Sequence, residues 1–524
     1  MARGVHGDRA NDNTVNARAQ TAVGLAVVVG TALLSRLPPF LNAGAVNSDA
    51  AVVGLQAIAL LERGEHAVHL WGTNYQTIVD VVVAAGLFKV LGPSPWALFA
   101  MPWLGAAAVC ALVYLMLHRS MGATNAVIAA LTVSFGSQAI TSPMTYVLRQ
   151  MMFLIIVLGL WLVHRASKGG LGPLQLFLGA VCFGLGIFTD VFATIMWPAC
   201  ALFALAACVD APFSWKVFGL RAGATVAGLG LGLVPAKLVG HIGGGATPGL
   251  TLDRWKANWP LFSEQCFPYA ISTKVWIPGT NLYPDLWQPP APFHWLQLAG
   301  AALLGLLWLS ALALAFVKRI DWPARRLGLF GVAAGSANLI GFLLSTAPAD
   351  MWSVRYLAPL MWTVPFALAP LAALLRAQGL AVLLAPYLVS AAVSGWLSWG
   401  TFVKGPLPVQ TARGAANEEA QVITELQRRG VEAAAAQYWL AYRFTLLSAE
   451  KLVTVPIDGG DRYPAYRAKF DGARKVALIF HPSEPRAQPQ PYEANLQTQR
   501  LAYETVRIAD FTVFVIDRAQ RPGP

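Results

Sequence analysis

Charge is what this chain has least of. Only 12% of its 524 residues are Asp, Glu, Lys or Arg, where an ordinary soluble domain carries roughly a quarter. With 56% hydrophobic residues it cannot cover itself with a solvated surface, and a single soluble globular fold is excluded. Cysteine is also scarce. Cys110, Cys182, Cys200 and Cys208 fall within apolar runs, and Cys266 stands alone in a polar loop. Neither a disulfide framework nor a zinc-ligand spacing can be built from them, and burial is their ordinary role. His66, His69, His241 and His294 do not form a metal-spaced set either, so no structural zinc is expected. The net charge of +12 would point a soluble domain toward nucleic acid. Here Lys and Arg sit in short clusters between apolar segments, where they act as topology signals, and no nucleic-acid partner is expected.

What is present is a series of apolar runs near the length of about 20 residues that crosses a bilayer. Spans are predicted near 20–38, 95–117, 124–141, 150–164, 172–188, 191–209, 217–239, 295–317, 327–347, 356–374 and 378–400, about eleven helices of a polytopic α-helical membrane protein. The connections "HRSMG", "HRASKGG", "SWKVFGLR", "KRIDWPARR" and "RAQG" are short and basic, and they recur at every second crossing once the N-terminus is placed in the cytoplasm. Positive charge is retained on the cytoplasmic side. The loops after 38, 141, 188, 239 and 347 and the tail after 400 are therefore assigned to the outer face of the cell membrane. "IVDVVVAAGLFKVLG", Ile78 to Gly92, is short and carries Asp80 and Lys89. As a crossing it would invert everything after it, so it is read as a helix at the outer interface.

Three regions follow. Residues 1–19 are polar and expected to be disordered. Residues 20–403 form the membrane domain, and 404–524 a small α/β domain. "LNAGA" after the first span also fits a signal-peptide cleavage site; the long polar leader favours a retained span. In the tail, "GAANEEAQVITELQRRG" reads as an amphipathic helix ended by Gly430, and "KLVTVPI", "KVALIFH" and "FTVFVID" as buried strands. No solenoid repeat is present.

The acids cluster at the predicted outer boundary. Asn47, Ser48 and Asp49 precede "AAVVGLQAIALLERG", a position that suits an N-cap. A carboxylate at that boundary also suits a general base toward a hydroxyl. Both roles require the same exposed site, and spacing leaves the two open.

An Asp beyond the first membrane helix, then "LLERGEHAVHLWG", the Tyr75-containing turn "TNYQTIVD", "LFKVLGPSPWALFAMPWL" and later "SVRYLAPLMW" together resemble the polyprenyl-phosphate-dependent glycosyltransferases of the GT-C class. The likeness is to bacterial relatives of protein O-mannosyltransferases and of the lipid A aminoarabinose transferase, best over residues 40 to 120. It implies a GT-C-like catalytic membrane domain that takes a sugar from a polyprenyl-phosphate carrier and gives it, with inversion, to an extracytoplasmic glycan, lipid or protein acceptor. It also implies Asp49 as catalytic base, with Asp80 as a second catalytic acid at a place where many relatives carry Glu. Tyr75 and the pair Arg355–Tyr356 are implied at the substrate. Mg2+ or Mn2+ is a conceivable cofactor, but Ser48 and Ala50 flank Asp49 and "SFGSQAITSPMTYVLRQ" holds no acid.

The chemistry can be argued without that likeness. A lipid phosphate leaves without the general acid a glycosidase needs; what remains is a base for the acceptor and positive charge for the phosphate. Arginine's planar fork suits the second task, and Arg149 in "MTYVLRQ" and Arg355 in "DMWSVRYLAP" lie near the outer surface. Each also fits a snorkelling or helix-end arginine. Asp190 fits a helix cap or a substrate contact. The Trp- and Tyr-rich loop from His241 to His294 suits membrane anchoring or stacking on sugars. A transporter or flippase for lipid-linked sugars is the alternative, as is a non-catalytic envelope-polymer assembly protein. Transporters usually show paired repeats with polar groups at the midplane, and no paired halves are present here.

Overall fold

The structure is a computed structural model that describes residues 5–519 except 42, 138, 140–148, 167–170, 210–212, 244–248, 276–285, 287, 400–407, 483 and 485. Among the described residues, eight helices are long and apolar enough to cross a membrane, including Pro95–Met121, Trp215–Leu238, Phe293–Leu314 and Trp322–Leu344. The other three expected spans are shorter apolar helices, Ala123–Ser134, Gln150–Ala166 and Trp197–Cys208. The protein is a multi-pass membrane protein. The first helix runs Val5–Ser35 and takes in polar residues ahead of its apolar span, because extending a nucleated helix adds a hydrogen bond per residue without a new nucleus.

Local chemistry sets the helix ends. Ser94 Oγ accepts the Ala97 N–H at 3.2 Å and Pro95 opens the long helix that follows. The last carbonyls of Ala123–Ser134 receive the wholly buried Arg36, whose Nη1 donates to Ser134 O at 2.9 Å and Nη2 to Val133 O at 3.1 Å. The helices Gly172–Thr189 and Trp215–Leu238 approach through glycine, since a Cβ on Gly228 or Gly232 would overlap the carbonyl of Phe177 or Val181. Small residues let backbones pack closely where lipid removes the hydrophobic drive. The rest of Trp215–Leu238 is largely exposed and apolar, with Leu220, Val226 and Leu231 among its outward residues.

Two short helices, Ser48–Ile58 and Val79–Leu91, lie between the first membrane helix and Pro95–Met121, as expected for an interfacial loop. The C-terminal domain is a five-stranded sheet in the order β2-β1-β3-β5-β4, with β1 Ala433–Ala436, β2 Val453–Pro456, β3 Lys475–Phe480, β4 Tyr503–Ile508 and β5 Phe511–Asp517. β1 pairs in parallel with β2 and β3, and β5 is antiparallel to β3 and β4. The three apolar runs read as strands are β2, β3 and β5. The Pro408–Arg428 helix precedes them, and Gly430 takes φ +69° after it.

This domain is seated on the short helices. Helix Tyr438–Leu447 packs on Ser48–Ile58, where Ser48 Oγ donates to Tyr438 O at 2.5 Å and accepts the Tyr442 N–H at 3.2 Å. Trp71 stacks on Tyr463 with centroids 3.9 Å apart, and Arg63 pairs with Glu450 at 2.8 Å.

Candidate active site

Asn47, not Asp49, caps the Ser48–Ile58 helix: its Oδ1 accepts the Ala50 N–H at 2.9 Å. Asp49 lies in the first turn, where the helix dipole favours a negative charge, and its carboxylate is left to other partners. Oδ1 accepts the Tyr438 hydroxyl at 2.6 Å and Arg462 Nη2 at 3.1 Å. Arg462 Nε donates to the same Tyr438 oxygen at 2.9 Å, and Nη1 to Gly72 O at 3.1 Å. Burial and the facing Asp49 push the Tyr438 phenol up, so it stays a donor.

Gly72 shows how closely the two chain segments fit. It takes φ +67°, and a Cβ there would collide with Arg462 Cδ and stand 3.0 Å from its Cα. Gly72→Ala is expected to destabilise the seated domain by about 1–3 kcal/mol through the left-handed backbone and this contact. A lowered thermal midpoint together with faster proteolysis between residues 448 and 472 would bear this out, and an unchanged midpoint would count against it.

The turn carrying Tyr75 is stitched to the end of the Gly172–Thr189 helix. Thr77 N–H donates to Thr189 O at 3.0 Å and Val191 N–H to Tyr75 O at 2.9 Å. Asp190 follows, 1% exposed. It caps the next turn by accepting the Phe192 N–H at 2.9 Å, and it pairs with Arg149 at 3.3 Å. The Arg149 guanidinium lies 5.6 Å from the Tyr75 ring centroid and 5.6 Å from that of Phe192. Burial works against its charge, but Asp190 first, then Tyr356, Tyr75 and Asp49, hold its pKa raised. Phe192 leads on to Tyr356 at 5.7 Å, and the Arg355 guanidinium lies 5.1 Å from the Tyr356 ring while donating to its hydroxyl at 3.3 Å. Arg149 Nε and Arg355 Nε are buried donors with no hydrogen-bond partner among the described residues. Asp49, Tyr75, Arg149, Arg355 and Tyr356 thus belong to one polar cluster at the end of the bundle where the C-terminal domain sits.

Asp80 stands behind this cluster. It is 1% exposed, accepts Gln76 Nε2 at 2.9 Å, and accepts the Met151 N–H at 3.3 Å near the start of the Gln150–Ala166 helix. Burial raises its pKa to about 7, with Asp190 adding to the rise while Gln76, Met151 N–H and Arg149 oppose it. A folded pKa above the unfolded one means that the stability linked to its proton is complete below the unfolded value and is lost as pH rises through about 7. The wild type should lose about 1.4 kcal/mol between pH 6 and 8 on this account, and Asp80→Asn should not. Parallel unfolding curves for both proteins across that range would contradict this.

Of the remaining sequence candidates, Trp255 and Trp259 are partly exposed and stacked 5.5 Å apart. Much of "GGGATPG", "GTNLYPDLW" and "QAITSPMTYVL" lies outside the described residues. The fold brings the His69 and His241 rings to 5.5 Å, a pairing that chain spacing does not reveal. Sequence reasoning missed Tyr438 and Arg462; the aromatic run "YWLAY" and the turn "GGDRYP" were their only local signals.

The helical bundle, the two short helices at its end and the α/β domain over them make up a GT-C-like fold. A likeness at this level is found with ArnT from Cupriavidus metallidurans, a lipid A aminoarabinose transferase. Its crystal structure bound to undecaprenyl phosphate is 12% identical, with a TM-score of 0.58 over 96% of this chain and 99% of that one. The apo form gives 12% identity and a TM-score of 0.55 over 97% and 100%. The apo oligosaccharyltransferase from Archaeoglobus fulgidus is more distant, at 13% identity and 0.48 over 87% and 69%. No family model matches the sequence, and no curated protein does.

Proposed function

We propose that the protein is a membrane glycosyltransferase that moves a sugar from a polyprenyl-phosphate donor to an acceptor glycan, lipid or protein on the extracytoplasmic face, with inversion. The observation that carries this reading is the position of Asp49. It is spared from capping by Asn47 and stands in the same cluster as the partly buried cation Arg149. The undecaprenyl phosphate bound to ArnT supports a prenyl phosphate as carrier.

Arg149 and Arg355 grip the donor phosphate, their unused Nε–H groups serving as charge-assisted donors. Tyr75 and Tyr356 flank it. Asp49 accepts the proton of the acceptor hydroxyl or amine as that atom attacks the anomeric carbon opposite the phosphate. The C–O bond to phosphate breaks, and its electron pair leaves on the oxygen held by arginine. The acceptor replaces Tyr438 and Arg462 beside Asp49, so the C-terminal domain covers the base until a substrate enters. Asp80 is a positioning residue that ties the Tyr75 turn to the helix following Arg149. Asp49 faces a phenol and a guanidinium, and Asp80 faces Gln76 and the Met151 N–H; no step is routed through a metal.

The test is to incubate the purified protein with a panel of prenyl-phosphate sugars and an acceptor panel and to follow release of the prenyl phosphate. Release that depends on acceptor supports transfer. Movement of the donor across vesicles without its cleavage would establish a flippase instead.

A further inference from the structure

We propose that Glu418, His481 and Asp510 form a binding site for one divalent transition-metal ion, with zinc the best chemical fit, on the C-terminal domain away from the Asp49 cluster. The three residues offer ligand atoms that all lie within 4.8 Å of one another. They come from three separate elements: the Pro408–Arg428 helix, the residue after β3, and the turn joining β4 to β5. No local sequence motif unites them, so the convergence is a product of the fold.

The ligand chemistry narrows the ion. An imidazole with two carboxylates matches the nitrogen and oxygen donors of zinc sites, with bonds of about 2.0–2.2 Å. Mg2+ and Ca2+ prefer oxygen alone, and the histidine argues against them. At those bond lengths tetrahedral ligands stand about 3.3 Å apart, so ligand atoms that already lie within 4.8 Å of one another need only side-chain rotation to close on one ion, and Asp510 is exposed and free to turn. The His481 ring is already set by packing on Phe511, centroids 4.6 Å apart. A fourth position remains for water.

The surrounding charge favours a dication. Glu418 and Asp510 bring two acids to the site. Arg443, the cation that acts on His481, is committed to Glu419 at 2.7 Å and to Gly44 O at 3.3 Å. Glu419 through Arg443 thus links the Pro408–Arg428 helix to the loop before Asp49, while Glu418 faces the sheet. A metal here fastens that helix to β3 and the β4–β5 turn, and so fixes the domain that delivers Tyr438 and Arg462.

Full-length protein in detergent, stripped with chelator, would be titrated with Zn2+, Mn2+ and Mg2+ by calorimetry. One Zn2+ per chain is expected, bound more tightly than Mn2+, with no Mg2+ bound and with a rise in thermal midpoint at saturation. His481→Ala should weaken Zn2+ binding at least about tenfold. Asp510→Asn, in an exposed turn where folding is not at stake, should weaken it as well. No stoichiometric binding, or equal affinity in both variants, would overturn the proposal; the second result would assign the ion to other groups such as His69 and His241. The readout is metal binding, so its outcome is independent of the transferase reading.

Discussion

Asp49→Asn is expected to lower sugar transfer about 10²- to 10⁴-fold, the range that general-base catalysis supplies. Asparagine keeps the shape of the side chain, and its oxygen still accepts from Tyr438 and Arg462 at the places now 2.6 and 3.1 Å away. The Asn47 cap is untouched, so the helix start survives. The thermal midpoint should therefore stay within about 2 °C of wild type while release of prenyl phosphate collapses. A folded Asp49→Asn protein with wild-type turnover would remove the base from the mechanism and leave the fold intact.

Arg149→Met should do two separable things. It leaves Asp190, 1% exposed, with the Phe192 N–H as its remaining hydrogen-bond donor among the described residues, and breaking a buried pair from one side costs about 3–5 kcal/mol. It also removes the guanidinium assigned to the donor phosphate, a charged hydrogen bond worth about 1.5–3 kcal/mol, or roughly 10- to 100-fold in donor affinity. The double variant Arg149→Met/Asp190→Asn distinguishes these effects. Stability should largely return because the orphaned charge is gone, whereas donor affinity should not. Recovery of both would reduce Arg149 to a structural partner of Asp190.

The membrane class was legible because it depends on composition and run length, quantities summed over the chain. The interfacial helices and three strands were legible for a related reason: Val79–Leu91 is too short to cross, and the runs in β2, β3 and β5 are apolar and β-branched. β1 was not legible. "AAAA" has little strand preference, and only its place between β2 and β3 makes it a strand, where small side chains let helices pack on the sheet. The competing roles of Asp49 were equally hidden, since Asn47 and Asp49 are both good caps and only the observed hydrogen bond separates them. Tyr438 and Arg462 could not be read at all as neighbours of Asp49, being 389 and 413 residues away along the chain.

By itself, then, the sequence determined that this protein lives in a bilayer and which segments are apolar enough to enter it. Those follow from transfer free energies that each segment carries alone. The tertiary structure alone decided that Arg149 answers to Asp190, that Asp80 is buried behind the cluster, and that the C-terminal domain lays a phenol and a guanidinium on Asp49. Such pairings join groups from distant segments, and their energies come from desolvation and distance, which exist only once the chain has folded.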